Sequence, residues 1–352
     1  MSKIMLSHGG GGEEMNSLIN ETIFRIFDNE ILRESNDSAI LNFSDFRADE
    51  NAGDSANLTP NFNGKLAFST DSFVVTPIFF NGGDIGKIAA CGTINDLAMV
   101  GAEAKYLSCA LIVEEGLEIA ELEQVLGSLA AVARENGVRI VCGDTKVVPR
   151  GKCDKIFINT SGIGRVLRPA RVQNIKAGAK ILLSGDIGRH GAVILAARDE
   201  IALSSELQSD CKPLCAAVEK LILQGVKIQA MRDATRGGLS AVLNEFASSS
   251  GLEFLVREED IKISDEVVGV CELLGFEPYE LANEGTFVAI VEDDVEADRA
   301  LEILREFDAN AAIIGEVREV GHSRSEFEGA LTRCLQTRRA GRASLRAFCR
   351  MI

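Results

Sequence analysis

The chain has 352 residues, of which 46% are hydrophobic and 26% charged, and carries a formal net charge of −16. That length and balance belong to a globular protein with room for two domains, and they exclude a disordered chain. The acidic surplus argues against nucleic acid as a partner, because phosphate backbones are met by basic surfaces, whereas a nucleotide needs only a metal, a lysine and a few backbone amides locally.

In chain order, residues 1–64 form a leading segment. Ser7-His8-Gly9-Gly10-Gly11-Gly12 precedes an amphipathic helix expected over 13–27 and a polar stretch up to 64. From 65 the pattern turns regular. A strand closes at Leu66-Ala67-Phe68-Ser69-Thr70-Asp71, and a helix starts at Ile85 with Asp84 as its cap. A strand is expected over 104–113. The helix over 119–136 carries Leu122, Val125, Leu126, Leu129 and Val132 on one face and stops at Gly137. Strands follow at 138–143 and 155–158, and the basic, proline-containing stretch 165–178 reads as a linker. The second half repeats the alternation. Strands are expected at 180–184, 253–257, 286–291 and 312–317, with helices at 192–198, 211–224, 238–249, 265–274 and 297–307. The division is thus a 1–64 leader, α+β domains at 65–166 and 178–320, and a tail at 321–352. That tail holds seven arginines, no lysine and only two acidic residues, and it shows no strand or helix period.

Nine cysteines, an odd number lying mostly in apolar segments, argue against a disulfide framework, and three histidines give little support to a zinc site. No apolar run approaches a membrane span, and Met1-Ser2-Lys3 leads straight into the glycine loop without a signal peptide's apolar core, so the expectation is a cytoplasmic protein.

The chemistry concentrates at three aspartates expected where a strand or glycine-rich turn gives way to a helix, with small residues beside them: Asp71, Asp96 in Cys91-Gly92-Thr93-Ile94-Asn95-Asp96, and Asp233 in Arg232-Asp233-Ala234-Thr235-Arg236-Gly237-Gly238. Each alone is better explained by helix capping. Together they suit a hard divalent cation that keeps waters and binds phosphate oxygens. Cys142-Gly143-Asp144-Thr145-Lys146 ends another apolar strand and brings a lysine to the same phosphates. Gly9, Gly10, Gly11 and Gly12 leave backbone amides open to an anion. Gly185-Asp186-Ile187-Gly188-Arg189-His190-Gly191 lacks dinucleotide-fingerprint spacing, and no P-loop is present, so any ATP site is of another kind. Glu284, in the turn Leu281-Ala282-Asn283-Glu284-Gly285, reads equally as a solvated turn residue.

These segments, taken in order from about residue 3 to 320, resemble the HypE family of hydrogenase maturation factors, the carbamoyl dehydratases. That family belongs to the superfamily of aminoimidazole ribonucleotide synthetase and selenophosphate synthetase. The resemblance implies a two-domain α+β fold whose N-terminal sheets pair into a barrel-like homodimer. It implies ATP in the interdomain cleft, bound through Gly9–12, Asp144, Thr145 and Lys146, with Mg2+ on Asp71, Asp96 and Asp233. The family reaction dehydrates a thiocarboxamide on a C-terminal cysteine to a thiocyanate, supplying cyanide to the iron of [NiFe]-hydrogenase. Lys146 would act on the transferring phosphoryl group and Glu284 as a base. The implied partners are a HypF-type carbamoyltransferase and a HypC–HypD iron scaffold. Family chains end in Pro-Arg-Ile-Cys, whereas this one ends Ala347-Phe348-Cys349-Arg350-Met351-Ile352, which makes Cys349 a displaced acceptor and suggests an altered reading frame in the tail. Two rivals follow. Selenophosphate synthetase would need a reactive cysteine or selenocysteine and a lysine in the glycine loop, and none stands between His8 and Glu14. The other rival is an ATP-binding maturation scaffold without dehydratase activity.

Overall fold

Strand β2, Lys65–Phe73, sets the frame of the first domain, because its buried positions Ala67, Ser69 and Phe73 alternate with the exposed Phe68, Thr70 and Ser72. A computed structural model describes residues 16–17, 20–21, 32–34, 38–42, 64–198, 207–320, 333–334 and 349–351. Within them β1 (Ala39–Asn42), β2, β5 (Ala102–Glu114), β6 (Arg139–Val148) and β7 (Ile156–Val166) form a sheet ordered β1-β2-β7-β5-β6. Only β5 and β6 run parallel, and the crossover between them is the helix α2, Ile119–Glu135.

Helix α1, Ile85–Met99, is the central member. The short strands β3 (Phe79–Phe80) and β4 (Gly83–Asp84) deliver its N-terminus, where Asp84 Oδ1 accepts from the amides of Gly86 and Lys87 at 2.8 and 3.0 Å. The sequence Ile-Gly-Lys-Ile-Ala-Ala-Cys-Gly-Thr-Ile-Asn-Asp-Leu-Ala-Met has no polar stripe, and every residue is buried except Lys87 and Asp96. Such a helix must be covered on all sides. One side meets the first sheet and α2, while Ala98 and Met99 pack into the second domain with Leu182, Leu214 and Met231. Gly86 permits the closest approach, since a Cβ there would lie 1.9 Å from the Val125 carbonyl oxygen.

The second domain holds β8 (Lys180–Leu183), β9 (Ile228–Asp233), β10 (Glu253–Val256), β11 (Phe287–Val291) and β12 (Ala312–Arg318) in one sheet with β13 (Arg333–Cys334) and β14 (Cys349–Met351). The order is β13-β14-β10-β12-β8-β11-β9. Strand β11 is buried along its whole length because helices cover both faces. On one face α5 (Gly238–Ser250) brings Leu243 and Phe246 onto Phe254 and Val288. On the other, α4 (Cys215–Leu223) and α7 (Asp294–Leu304) pack Leu221 and Ala300 against Phe287 and Ala289. Helices α3 (Arg189–Arg198) and α6 (Asp265–Leu274) form a smaller cluster through Val193, Val267 and Val270. The fold is therefore α+β in two domains. Among the described residues no helix is long and apolar enough to cross a membrane.

Several expectations change in detail. Asp71 does not close β2, which continues to Phe73, Asp96 lies inside α1 rather than at a turn before a helix, and Asp144 and Lys146 lie inside β6 rather than beyond a strand end. Helix α4 starts at Cys215, four residues later than expected, because residues 207–214 are pinned by hydrogen bonds from both domains. The leading segment contributes β1, whose polar surroundings hid it. The tail supplies two short strands where none was expected.

Candidate active site

The cleft between the domains is built on β2 and α1 from one side and on two turns of the second domain from the other. Asp71 and Ser69 share the α1-facing side of β2, and Ser69 Oγ donates to Asp96 Oδ2 at 2.6 Å. A Cβ on Gly92, one turn before Asp96, would lie 3.5 Å from Asp71 Oδ2, so the two aspartates sit along one strand–helix seam. Asp233 is the last residue of β9. The turn after it brings Arg236 Nη2 to 3.7 Å from Asp71 Oδ1, linking the domains. Burial raises the Asp71 carboxyl above its ordinary value, against the Ser72 amide and Arg236, which lower it.

Glu284 belongs to the same cleft. Asn283 fixes its turn by donating from Nδ2 to the Ala234 carbonyl at 2.8 Å and accepting the Gly188 amide at 2.6 Å. The Glu284 carboxyl is held well above the usual carboxylate range by burial, then by the nearby Cys211, Asp233, Asp210 and Asp71. This mutual repulsion marks a concentration of oxygen donors. Among the described residues no group of three or more His, Cys, Asp or Glu side chains stands close enough to enclose a metal. Asp71, Asp96 and Asp233 offer carboxylate oxygens alone, a donor chemistry that suits a hard cation rather than zinc.

The remaining sequence candidates fall elsewhere. In register, Asp144 lies beside Ala110 and Lys146 beside Ile112, on the sheet face away from α1, whereas Asp71 faces α1. Both are exposed, and Lys146 Nζ donates to Asp144 Oδ2 at 2.7 Å, so within one chain the pair does not reach the Asp71 seam. Thr145 neighbours Leu111 on the opposite side of the same strand. Gly9, Gly10, Gly11 and Gly12 lie outside the described residues. The backbone of Cys349 pairs with Phe254 of β10, and its own strand β14 stands five positions from β9, or about 24 Å.

Sequence reasoning missed the strap of residues 207–214, which crosses the cleft floor. It contains Asp210 and Cys211, both buried. The Cys211 thiol shares a hydrogen bond with Cys91 and is desolvated, both of which push it up, so the thiolate is disfavoured and the pair serves packing. Upstream, Ser209 Oγ lies 2.9 Å from His190 Nδ1. Burial, with a smaller contribution from Arg198, pushes the imidazole down to about 4. The unfolded chain therefore binds a proton between pH 6.5 and about 4 that the folded one refuses, and stability falls as pH drops through that window. The full effect is about 3 kcal/mol. His190→Gln should flatten this slope, checked by urea unfolding at neutral pH and at about pH 5. An unchanged slope would remove His190 as its source.

Comparison with known proteins gives the family of the chain. The AIR synthase related protein family matches through its N-terminal domain over residues 52–166 and its C-terminal domain over 176–328. Carbamoyl dehydratase HypE of Escherichia coli (strain K12) is 45% identical over 91% of this chain and 92% of its own length. The crystal structure of a HypE–HypF complex superposes with a TM-score of 0.76 at 41% identity, covering 86% of this chain and 94% of that one. The crystal structure of HypE in complex with ATP gives 0.72 at 43% identity, covering 91% and 90%. Identity at this level, spanning both domains and every element that frames the cleft, leaves one conclusion: the chain belongs to the HypE family, the carbamoyl dehydratases of hydrogenase maturation.

Proposed function

We propose that the cleft performs an ATP-dependent removal of water from a cysteine-bound carbamoyl group, leaving a thiocyanate. The observation that carries this reading is the convergence of Asp71, Asp233 and Glu284 on one interdomain cleft, with Asp96 on the adjoining seam. Asp71, Asp96 and Asp233 would hold magnesium, which when bound neutralises phosphate charge and orients the transferring group. An amide oxygen is a poor leaving group. Its attack on the γ-phosphorus of ATP forms an O–P bond, releases ADP and turns that oxygen into part of a phosphate ester. Glu284, with its raised proton affinity, then takes protons from the amide nitrogen as the C–O bond breaks, giving the nitrile and inorganic phosphate.

The same reading carries Asp144, Thr145 and Lys146 as nucleotide contacts, with Lys146 acting on the transferring phosphoryl group. Their place on the open face of the first sheet is then accounted for by a homodimer. That face exposes Phe68, Tyr106, Ile112 and Ile163, and β6 is an exposed edge strand, a combination that a second copy would cover. Sedimentation of the chain as a monomer would remove this account. By likeness to the HypE–HypF complex, a HypF-type protein supplies the carbamoyl group, and the nitrile would pass to a HypC–HypD iron scaffold in the cytoplasm. With domains at 65–166 and 178–320, the first would supply Asp71 and Asp96 and the second Asp233 and Glu284. The scaffold reading, with ATP bound but no dehydration, is not favoured by relatives named carbamoyl dehydratase that span nearly the whole chain.

The test is intact-mass spectrometry of the chain with a HypF-type partner, carbamoyl phosphate and ATP. A carbamoyl adduct that loses one water only when magnesium and ATP are present supports the function. An adduct that never dehydrates would overturn it. Peptide mapping locates the acceptor, for which Cys349 is the candidate.

A further inference from the structure

Glu284 is held in place by more than its own turn. Asp210, buried in the strap, accepts the Glu284 amide on Oδ1 at 3.1 Å and the Gly285 amide on Oδ2 at 2.9 Å. Two residues on, the Lys212 amide donates to the Glu284 carbonyl at 3.3 Å. Both backbone polar groups of Glu284 are therefore tied to the strap. The approach is so close that a Cβ on Gly285 would fall 1.9 Å from the Asp210 carbonyl oxygen, which leaves glycine the only residue that fits.

The strap is itself referenced to the other domain. Asn95, the neighbour of Asp96 on α1, donates from Nδ2 to the Lys212 carbonyl at 3.2 Å and accepts the Leu214 amide on Oδ1 at 2.8 Å. The Ser209 amide donates to the Asn81 carbonyl at 2.9 Å, and a Cβ on Gly82, whose φ is +94°, would meet the Ser209 nitrogen at 2.8 Å. A chain of short contacts thus runs from α1 beside Asp96, through the strap, to the turn of Glu284.

We infer that Asp210 is a positioning residue for the dehydration, whose carboxylate clamps the Glu284–Gly285 turn and, through the strap and Asn95, sets the base at a fixed distance from the Asp96 seam. This inference rests on the reading of Glu284 as the base. A carboxylate is required because two adjacent N–H donors meet its two oxygens. The isosteric amide offers one oxygen and presents its own N–H to the second donor, so it both loses a bond and adds a repulsion. Arg189 and Lys212 lie near enough to lower the proton affinity of this buried carboxyl, opposing the larger effect of burial. Arg189 is in turn held by Asp186 at 2.8 Å, and Lys212 by Asp308 at 2.9 Å, so neither is available to replace the backbone donors without breaking an ion pair.

The test compares Asp210→Asn, Asp210→Glu and Glu284→Gln in the full chain by three readouts. These are ATP affinity by calorimetry, the rate of cyano-adduct formation by intact mass with the HypF-type partner and carbamoyl phosphate, and amide hydrogen exchange at residues 284 and 285 by NMR. Asp210→Asn is expected to keep ATP affinity within about twofold while slowing dehydration about a hundredfold, since a small misplacement of a reacting group costs that much. Exchange of the two amides should quicken about tenfold with the loss of one hydrogen bond. Asp210→Glu, which keeps both oxygens on a longer stem, should fall between, and it stands in for the asparagine variant if that fails to fold. Wild-type exchange at 284 and 285, or ATP affinity and dehydration lost in parallel, would overturn the inference. If Glu284→Gln dehydrates normally, the base assignment is wrong. If Glu284→Gln is inactive while Asp210→Asn works at the wild-type rate, the positioning role alone is wrong.

Discussion

Asp96→Ala is expected to lower magnesium-dependent ATP turnover by on the order of a hundred- to a thousandfold while leaving the fold intact. Asp96 is the one carboxylate on a helix otherwise buried nearly throughout, and it meets solvent where α1 borders the cleft. Its removal deprives the Ser69 hydroxyl of its acceptor, a loss of about 1 kcal/mol. Alanine is the better helix former by a few tenths of a kcal/mol, which offsets part of that loss. The melting temperature should therefore move by only a few degrees, and any collapse of turnover reports the site rather than the scaffold. Asp96→Asn sharpens the result, because it preserves an acceptor for Ser69 and the side-chain shape but removes the charge. It should be nearly as inactive as alanine. Phosphate release measured across magnesium concentrations, with the carbamoyl donor and HypF-type partner present, decides the matter. Wild-type turnover in Asp96→Ala would take Asp96 out of the metal site.

Glu284→Gln is expected to stop dehydration, by a factor of about 10² to 10⁴ for loss of a general base, with ATP binding unaffected. The same change should stabilise the protein at neutral pH. Glu284 has a proton affinity well above that of an unfolded glutamate, so the folded state holds its proton over a range where the unfolded chain has released it. Stability is then fullest below the unfolded value of 4.5 and falls as pH rises through the folded value. Glutamine carries no such penalty. Its melting temperature should exceed the wild type's at neutral pH, and the gain should vanish at low pH. A protein that becomes more stable as it becomes inactive has its base held under electrostatic strain for function. A variant less stable than wild type at neutral pH would show instead that the Glu284 side chain is a structural element.

Much of the architecture is legible in the residues alone, because it depends on local patterns. The apolar face of α2 and the cap at Asp84 both follow from helix geometry, and both stand in the structure. The alternation in β2 and the continuous apolar run of β11 are likewise strand signatures of half and full burial. Small residues beside the carboxylate drew attention to Asp96, though not to its place inside a helix, and the Asp233 turn stands out by its flanking glycines.

What local pattern does not carry is which side of a sheet a residue faces relative to a distant partner. Asp71 and Lys146 both sit in regular strands, yet β2 turns Asp71 toward α1 while the pairing of β6 with β5 sends Lys146 to the other face. A one-residue change of register would exchange those faces, and register is settled by long-range pairing and packing. Glu284 is an ordinary turn glutamate in the sequence. Its raised proton affinity arises first from burial and then from Cys211, Asp233, Asp210 and Asp71, separated from it by 73, 51, 74 and 213 positions and brought together only when the domains close on α1. Asp210 lay in a stretch without periodicity, because its hydrogen bonds go to other elements rather than to its own. The sequence by itself thus determined the family, the two α+β domains and the set of carboxylates. Only the tertiary structure decided which of them share a cleft, since electrostatic coupling depends on distance in space.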